Sequence, residues 1–263
     1  MIKRELKANL SSFIIWTSIL LFMFLVVFLV YPMLITSENM QMMDEMMAMF
    51  PEELLKAFNM DITSLDSAYG WMKSEGFIFM LLISGIYSAT LGGNIILKEE
   101  TEKTCEYLNC LPVKRKTILL NKITVSLIYI VSMILFIGIF NLIALTISGD
   151  FDIKQYIMLS IAPILTSLPI FAIMLFISTS TKKFKKLFGI GLGFVFINYF
   201  LNIIGELGKK TEIFKYFTIF TLADIRNIIL DNSLNPWMFI ISSSLTIGFI
   251  YGSFIQYERK ELV

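Results

Sequence analysis

No histidine occurs anywhere in the 263-residue chain, and it has only two cysteines, Cys105 and Cys110. The first absence removes the commonest general base and a leading metal ligand. Charged residues make up only 16% of the chain against 56% hydrophobic, and the mean hydropathy of +0.75 is far above that of a soluble domain. There is no Gly-x-x-x-x-Gly-Lys-Ser/Thr phosphate loop, so this chain does not bind ATP by that route. Six long runs lack any charged side chain: 8–37, 76–97, 123–149, 155–181, 187–205 and 232–257. A charge at the bilayer centre costs at least ~2.5 to 3.5 kcal/mol, and proton- or ion-coupled carriers keep such charges because coupling depends on them. Runs this bare argue against that class. They also leave an intramembrane enzyme without its carboxylate, cysteine or histidine centre.

What remains is an all-α polytopic membrane protein with six transmembrane helices. The spans fall at about 11–35, 77–97, 118–147, 156–180, 187–206 and 236–256, each near or above the roughly 20 residues that cross a bilayer core. The first run is too long for a signal-peptide core and no small-residue cleavage pattern follows it, so it reads as an uncleaved anchor. A net charge of +1 hides a strong asymmetry between sides. The side holding the N-terminus has 15 Lys and Arg and the other has seven, with net charges of +8 and −7. The positive-inside rule therefore places both termini in the cytoplasm. Both cysteines fall on that side and are expected as reduced thiols. The run 182–186, KKFKK, is expected to hold its flanking spans to anionic headgroups, at about 1 kcal/mol per base.

The largest charged island between two spans is 98–122, KEETEKTCEYLNCLPVKRKTILLNK. Glu99, Glu102 and Glu106 share one helical face, while Thr101, Thr104, Leu108 and Leu111 share another. This predicts a short amphipathic helix along the membrane surface. Pro112 ends it, because its ring removes a donor and biases Leu111 away from helical angles. The chain then re-enters the bilayer through Lys114, Arg115 and Lys116.

Thr104, Glu106, Leu108, Pro112, Val113, Arg115, Ile118 and Lys122 resemble the cytoplasmic loop of permease subunits of type-2 ABC transporters, with its G-T-x-E-x-L, P-[VI]-x-R-x-x-I and closing G-K. Lys103 stands where that pattern has its first Gly, and Asn121 replaces the later one. The tail is similar too, with Phe254, Tyr257, Glu258, Arg259, Lys260, Glu261 and Leu262 set against F-x-x-R-R-D-L. The resemblance implies that residues 98–117 are the coupling helix, with Glu99, Glu102, Glu106, Leu108, Pro112, Val113 and Arg115 meeting an ATP-binding cassette subunit. It implies two copies of that subunit, which bind ATP and Mg, and no cofactor in this chain. A plain solvated connector is the other reading of the island.

The first loop outside, 38–75, opens with six methionines between positions 40 and 49. Met43, Met47, Phe50, Leu54 and Phe58 recur at three or four, which predicts an amphipathic helix at the outer surface, bent near Pro51. Thioether clusters can bind Cu(I), but neither histidine nor an extracellular cysteine supports one here. A soft methionine surface for varied apolar substrates and plain packing on lipid both stay open.

Small residues mark the second span in two rows, Ser84, Ser88, Gly92 and Gly85, Ala89, Gly93. Gly189 and Gly193 form a similar pair in the fifth. Such rows let helix backbones approach closely. The GIGLG that holds the second pair has no preceding strand, so it is no dinucleotide fingerprint. Pro163 and Pro169 are expected to kink the fourth span, and Pro236 suits a first helical turn. The apolar centre of 206–231 is too short to cross twice and is expected to dip into the outer leaflet as a re-entrant pair of short helices, similar to the outer helices of the type-2 permeases.

The function expected is export of a hydrophobic or amphipathic molecule, a peptide or toxin, by a dimer of six-helix permeases in a bacterial plasma membrane, with no nucleic acid involved. Size and the long first outer loop are similar to membrane subunits that export amphipathic peptide toxins such as phenol-soluble modulins. A drug-efflux or antimicrobial-peptide immunity permease, and a membrane scaffold whose charged island binds a soluble partner, are the alternatives.

Overall fold

The computed structural model describes residues 2–34, 45, 49–51, 67–101, 113–149, 151–181, 184–207, 210–223 and 225–259. Among these, every regular element is helical. In chain order they are α1 (Ile2–Leu34), the short α2 (Ala68–Trp71), a π-helical turn (Met72–Gly76), α3 (Phe77–Thr101), α4 (Arg115–Ser148), α5 (Ile153–Ser180) and α6 (Phe184–Glu206). Two 3₁₀ turns (Glu212–Phe217 and Ile219–Ala223), α7 (Ile225–Asp231) and α8 (Pro236–Arg259) follow. Six of these helices, α1, α3, α4, α5, α6 and α8, are long and apolar enough to cross a membrane. Pro236 opens α8 at the first-turn position where its missing N–H costs nothing.

α3 is the centre of the bundle. Its two small-residue rows explain why. A Cβ added at Gly92 would stand 2.5 Å from the Phe171 carbonyl oxygen and 3.1 Å from the Leu175 nitrogen, so the α3 and α5 backbones touch there. The neighbouring row faces α6 in antiparallel register: Gly85 against Val195, Ala89 against Gly191, and Gly93 against Leu187. Gly191 is therefore the glycine of α6 at this crossing. Gly189 and Gly193, expected from their spacing to form a close helix contact, meet no heavy atom within 4 Å of an added Cβ among the described residues of the chain. A single small residue suffices where two helices cross and then diverge.

Pro163 and Pro169 both lie inside the continuous α5. Pro169 has no N–H for the Leu165 carbonyl one turn earlier, and the buried Ser242 hydroxyl of α8 donates to that carbonyl at 2.7 Å. Thr179 Oγ1 donates to Gln256 Oε1 at 2.7 Å farther along the same pair. In lipid every such backbone group needs an internal partner, so the proline break becomes the point where α8 is attached.

Candidate functional site

Two polar centres lie at opposite ends of the bundle. At the end that holds Glu5 and Glu258, α1, α3 and α4 are joined by charge. Lys122, only 2% exposed, extends its Nζ to 3.4 Å from each carboxylate oxygen of Glu5 and donates to the Ile95 carbonyl at 3.0 Å. Ile95 is one and a half turns before the end of α3, and Glu5 is in the first turn of α1. Lys98 Nζ donates to the Ala8 carbonyl at 3.1 Å, and Tyr129 OH of α4 donates to the Leu6 carbonyl at 2.6 Å. The Phe13 and Tyr129 rings pack at 4.9 Å beside this last bond. Lys116 forms an exposed ion pair with Glu258 at 3.2 Å, which sets the end of α8 beside the start of α4.

Lys122 closes the charged island in the sequence and falls within the third span expected at 118–147. α4 begins at Arg115, so Lys122 is two turns inside it and its charge is buried. A buried lysine is tolerated only when paired and hydrogen-bonded, and Glu5 with the Ile95 carbonyl supplies both. From the sequence, Glu5 stood among ordinary N-terminal charges. Nothing local links it to a residue 117 positions away.

Of the expected coupling residues, Glu99 lies in the last turn of α3, Val113 is half-buried, and Arg115 is exposed at the first position of α4. Glu102, Glu106, Leu108 and Pro112 lie outside the described residues, as do Cys105 and Cys110. In the loop 38–75, expected on the outer side, Phe50 is exposed, while Met43, Met47, Leu54 and Phe58 are likewise outside the described residues. Ser84 and Ser88 are fully buried on α3, and the Ser84 hydroxyl bonds back to the Leu81 carbonyl at 3.2 Å. Asn141, in α4, is fully buried, and neither of its amide atoms has a partner among the described residues. A search for charges inside the spans passes over such a residue.

The other end is built around Gln155 and Glu206. Asp152 caps α5, accepting from the Lys154 and Gln155 backbone N–H groups at 2.9 and 3.2 Å, and its other oxygen accepts from Asn232 Nδ2 at 2.9 Å. The Gln155 N–H bond first, with those from Asn232 and Lys154, holds the Asp152 carboxyl below the usual carboxylate range. Asn232 takes a φ of 50° just past α7, a conformation that asparagine tolerates. Gln155 donates to the Ile228 and Ile229 carbonyls at 3.2 and 3.1 Å, closing the last turn of α7, and accepts from Tyr69 OH of α2 at 3.0 Å. Burial chiefly, with Asp152 and Tyr156 nearby, pushes the Tyr69 hydroxyl pKa upward.

Beside this lies a cavity of about 330 Å³ between α3, α6, the 3₁₀ turns, α7 and the start of α8. Ile78, Leu81, Phe220, Ile225 and Met238 form apolar wall. Its charged wall centres on Glu206, whose Oε1 pairs with Lys215 Nζ at 3.0 Å and whose Oε2 pairs with Arg226 Nη1 at 2.6 Å. The stretch 206–231, expected to dip as a re-entrant pair of short helices, holds the two 3₁₀ turns and α7 among its described residues.

The family described as ABC-2 family transporter protein matches residues 1–262. No curated protein and no solved structure matches the chain.

Proposed function

The chain belongs to the ABC-2 family of transporter proteins, and on that premise we propose that it is one of two permease copies in an exporter of a hydrophobic or amphipathic molecule. As a member it is a multi-pass membrane permease subunit with neither ATPase activity nor a cofactor of its own, and permeases of this family pair with ATPase subunits. The copies sit in a bacterial plasma membrane with both termini in the cytoplasm, above two ATP-hydrolysing subunits that bind ATP and Mg. The substrate is a peptide or toxin. The long uncharged runs of the spans support that class, and the long first outer loop, similar to that of exporters of phenol-soluble modulins, supports an amphipathic peptide.

The observation that carries the mechanism is the Glu5, Lys122 and Ile95 junction. Residues 102–112 connect the end of α3 to the start of α4, and both helices are tied to α1 within a few turns of those ends. A displacement that an ATPase delivers to this segment therefore moves three helices as one body.

Co-purification of the ATPase and substrate-stimulated ATP hydrolysis in vesicles test this, with Glu106→Lys, Leu108→Asp and Pro112→Ala beside the native chain. Leu108→Asp is expected to be worst, because it removes apolar burial and adds an unpaired carboxylate. Glu106→Lys costs on the order of 2 to 5 kcal/mol of binding if its contact is desolvated, and under about 1 kcal/mol at an exposed rim. Native binding and native stimulation in all three variants would leave the segment a solvated connector.

A further inference from the structure

The cavity around Glu206 gathers charge from three elements, α6, a 3₁₀ turn and α7. Two cations converge on one carboxylate, Lys215 on its Oε1 and Arg226 on its Oε2. Lys215 has three donors and Arg226 five, so among the described residues donor capacity remains beside the cavity beyond the contacts to Glu206. Glu212, the other acid of the lining, is exposed. The arrangement is built into the chain locally. A Cβ at Gly205 would stand 2.7 Å from Lys215 Cγ and 3.1 Å from its backbone nitrogen, so the glycine gives Lys215 the room to reach Glu206.

The surroundings fix the depth of this site. The 3₁₀ turn that carries Lys215 has no buried residue, and Ile213, Tyr216 and Phe217 project outward at 60%, 85% and 71% exposure. Trp237, at the start of α8, is 66% exposed on the same end. Tyrosine and tryptophan exposed at the ends of spanning helices lie at headgroup level. Lys215 and Arg226 are also two of only seven bases on this side, which has a net charge of −7 by sequence, so their meeting is not the result of a generally basic surface.

We propose that the cavity binds the phosphate headgroup of an anionic phospholipid, with Lys215 and Arg226 as the anion-holding residues and the apolar wall taking the start of an acyl chain. Its volume lies at the lower end of the roughly 300–1,000 Å³ of small-molecule sites, so it holds a headgroup and the adjoining chain segment and leaves the rest in the bilayer. Glu206 is a positioning residue here. It sets the two cations 3.0 and 2.6 Å from one carboxylate and competes with the lipid for them. This site does not depend on the exporter reading, because a lipid can occupy it in the permease alone.

The test is titration of the purified full chain in detergent with phosphatidylglycerol, with phosphatidylcholine or with inorganic phosphate, read by native mass spectrometry. Phosphatidylglycerol is expected to bind roughly tenfold more tightly than phosphatidylcholine, and the Lys215→Gln, Arg226→Gln double variant to lose that preference. Glu206→Gln is expected to keep or strengthen it, since the competing carboxylate is gone. Equal affinity for the two lipids, an unchanged preference in the double variant, or displacement of the lipid by inorganic phosphate at comparable concentration overturns the proposal. Should the double variant not fold, Glu206→Gln decides alone: loss of the preference would mark the three residues as a packing ion pair.

Discussion

α1 and α3 are the two extremes of the bundle, and together they reverse the usual relation between hydropathy and burial. α1 carries the most apolar stretch of the six spanning helices and only 17% of it is buried in the protein; α3 carries the least apolar stretch and 78% of it is buried. α8 and α6 stand with α1, at 17% and 22%, and α5 stands nearer α3, at 61%. In water an apolar face gains by leaving the solvent, whereas beside lipid tails it gains nothing by entering the protein. What places α3 at the centre is the smallness of Gly85, Ala89, Gly92 and Gly93, which lets α5 and α6 come close enough for dense dispersion contact. The apolar faces of α1, α6 and α8 are suited to lipid, or to a second copy of the chain.

The comparison can be broken hardest at Gly92. A leucine there drives a side chain into the Phe171 carbonyl and the Leu175 nitrogen, which are backbone and cannot move aside. Overpacking of this kind costs about 1–3 kcal/mol in a tolerant core and more where backbones touch. Gly92→Leu is therefore expected to abolish a monodisperse peak in detergent, and a well-behaved, fully stable variant would mean that α3 and α5 are not in contact there.

Next comes the charge that holds the rim helix α1 to the centre. Lys122→Met strands Glu5, and removing one partner of a buried pair costs about 3–5 kcal/mol. The lower end is expected, because Arg4 Nη2 lies 3.4 Å from the same carboxylate and softens the loss. Thermal unfolding in detergent measures it, and adding Glu5→Gln to Lys122→Met should recover much of the deficit. No recovery would show that Lys122 acts through the Ile95 carbonyl rather than through Glu5.

The smallest effect is expected at Gly189 and Gly193. Both face open space within the chain, so Leu at either should change the stability of the isolated chain by less than about 0.5 kcal/mol. The same substitution at Gly191, between Met174 and Ala89, should cost several times more. Equal effects at all three positions would place α6 in a different rotation.

The two ends of the bundle were unequally legible in the sequence. Six helices, the small rows of α3 and the charged island between the second and third spans all follow from runs and spacings in neighbouring residues. In α6 the spacing rule selected Gly189 and Gly193, because it rewards small residues in pairs. The true crossing point, Gly191, has Leu187 and Val195 one turn away on either side, and both pack against α3. The polar centres were not legible at all. Glu5 meets Lys122, and Gln155 meets Tyr69 and the end of α7, across separations that no local pattern records.

The sequence by itself determined the class of this protein: a chain this apolar, with six uncharged runs long enough to span, is a membrane helix bundle. It determined this because hydropathy and helix length are properties of contiguous residues. Only the tertiary structure decided which helix is central, which of three α6 glycines touches it, that Lys122 is buried, and that Lys215 and Arg226 converge on Glu206. These depend on the rotation of each helix about its axis and on its neighbours. In lipid no difference between solvent and core hydrophobicity fixes that rotation; it is set by shape and by the pairing of a few polar groups far apart in the chain.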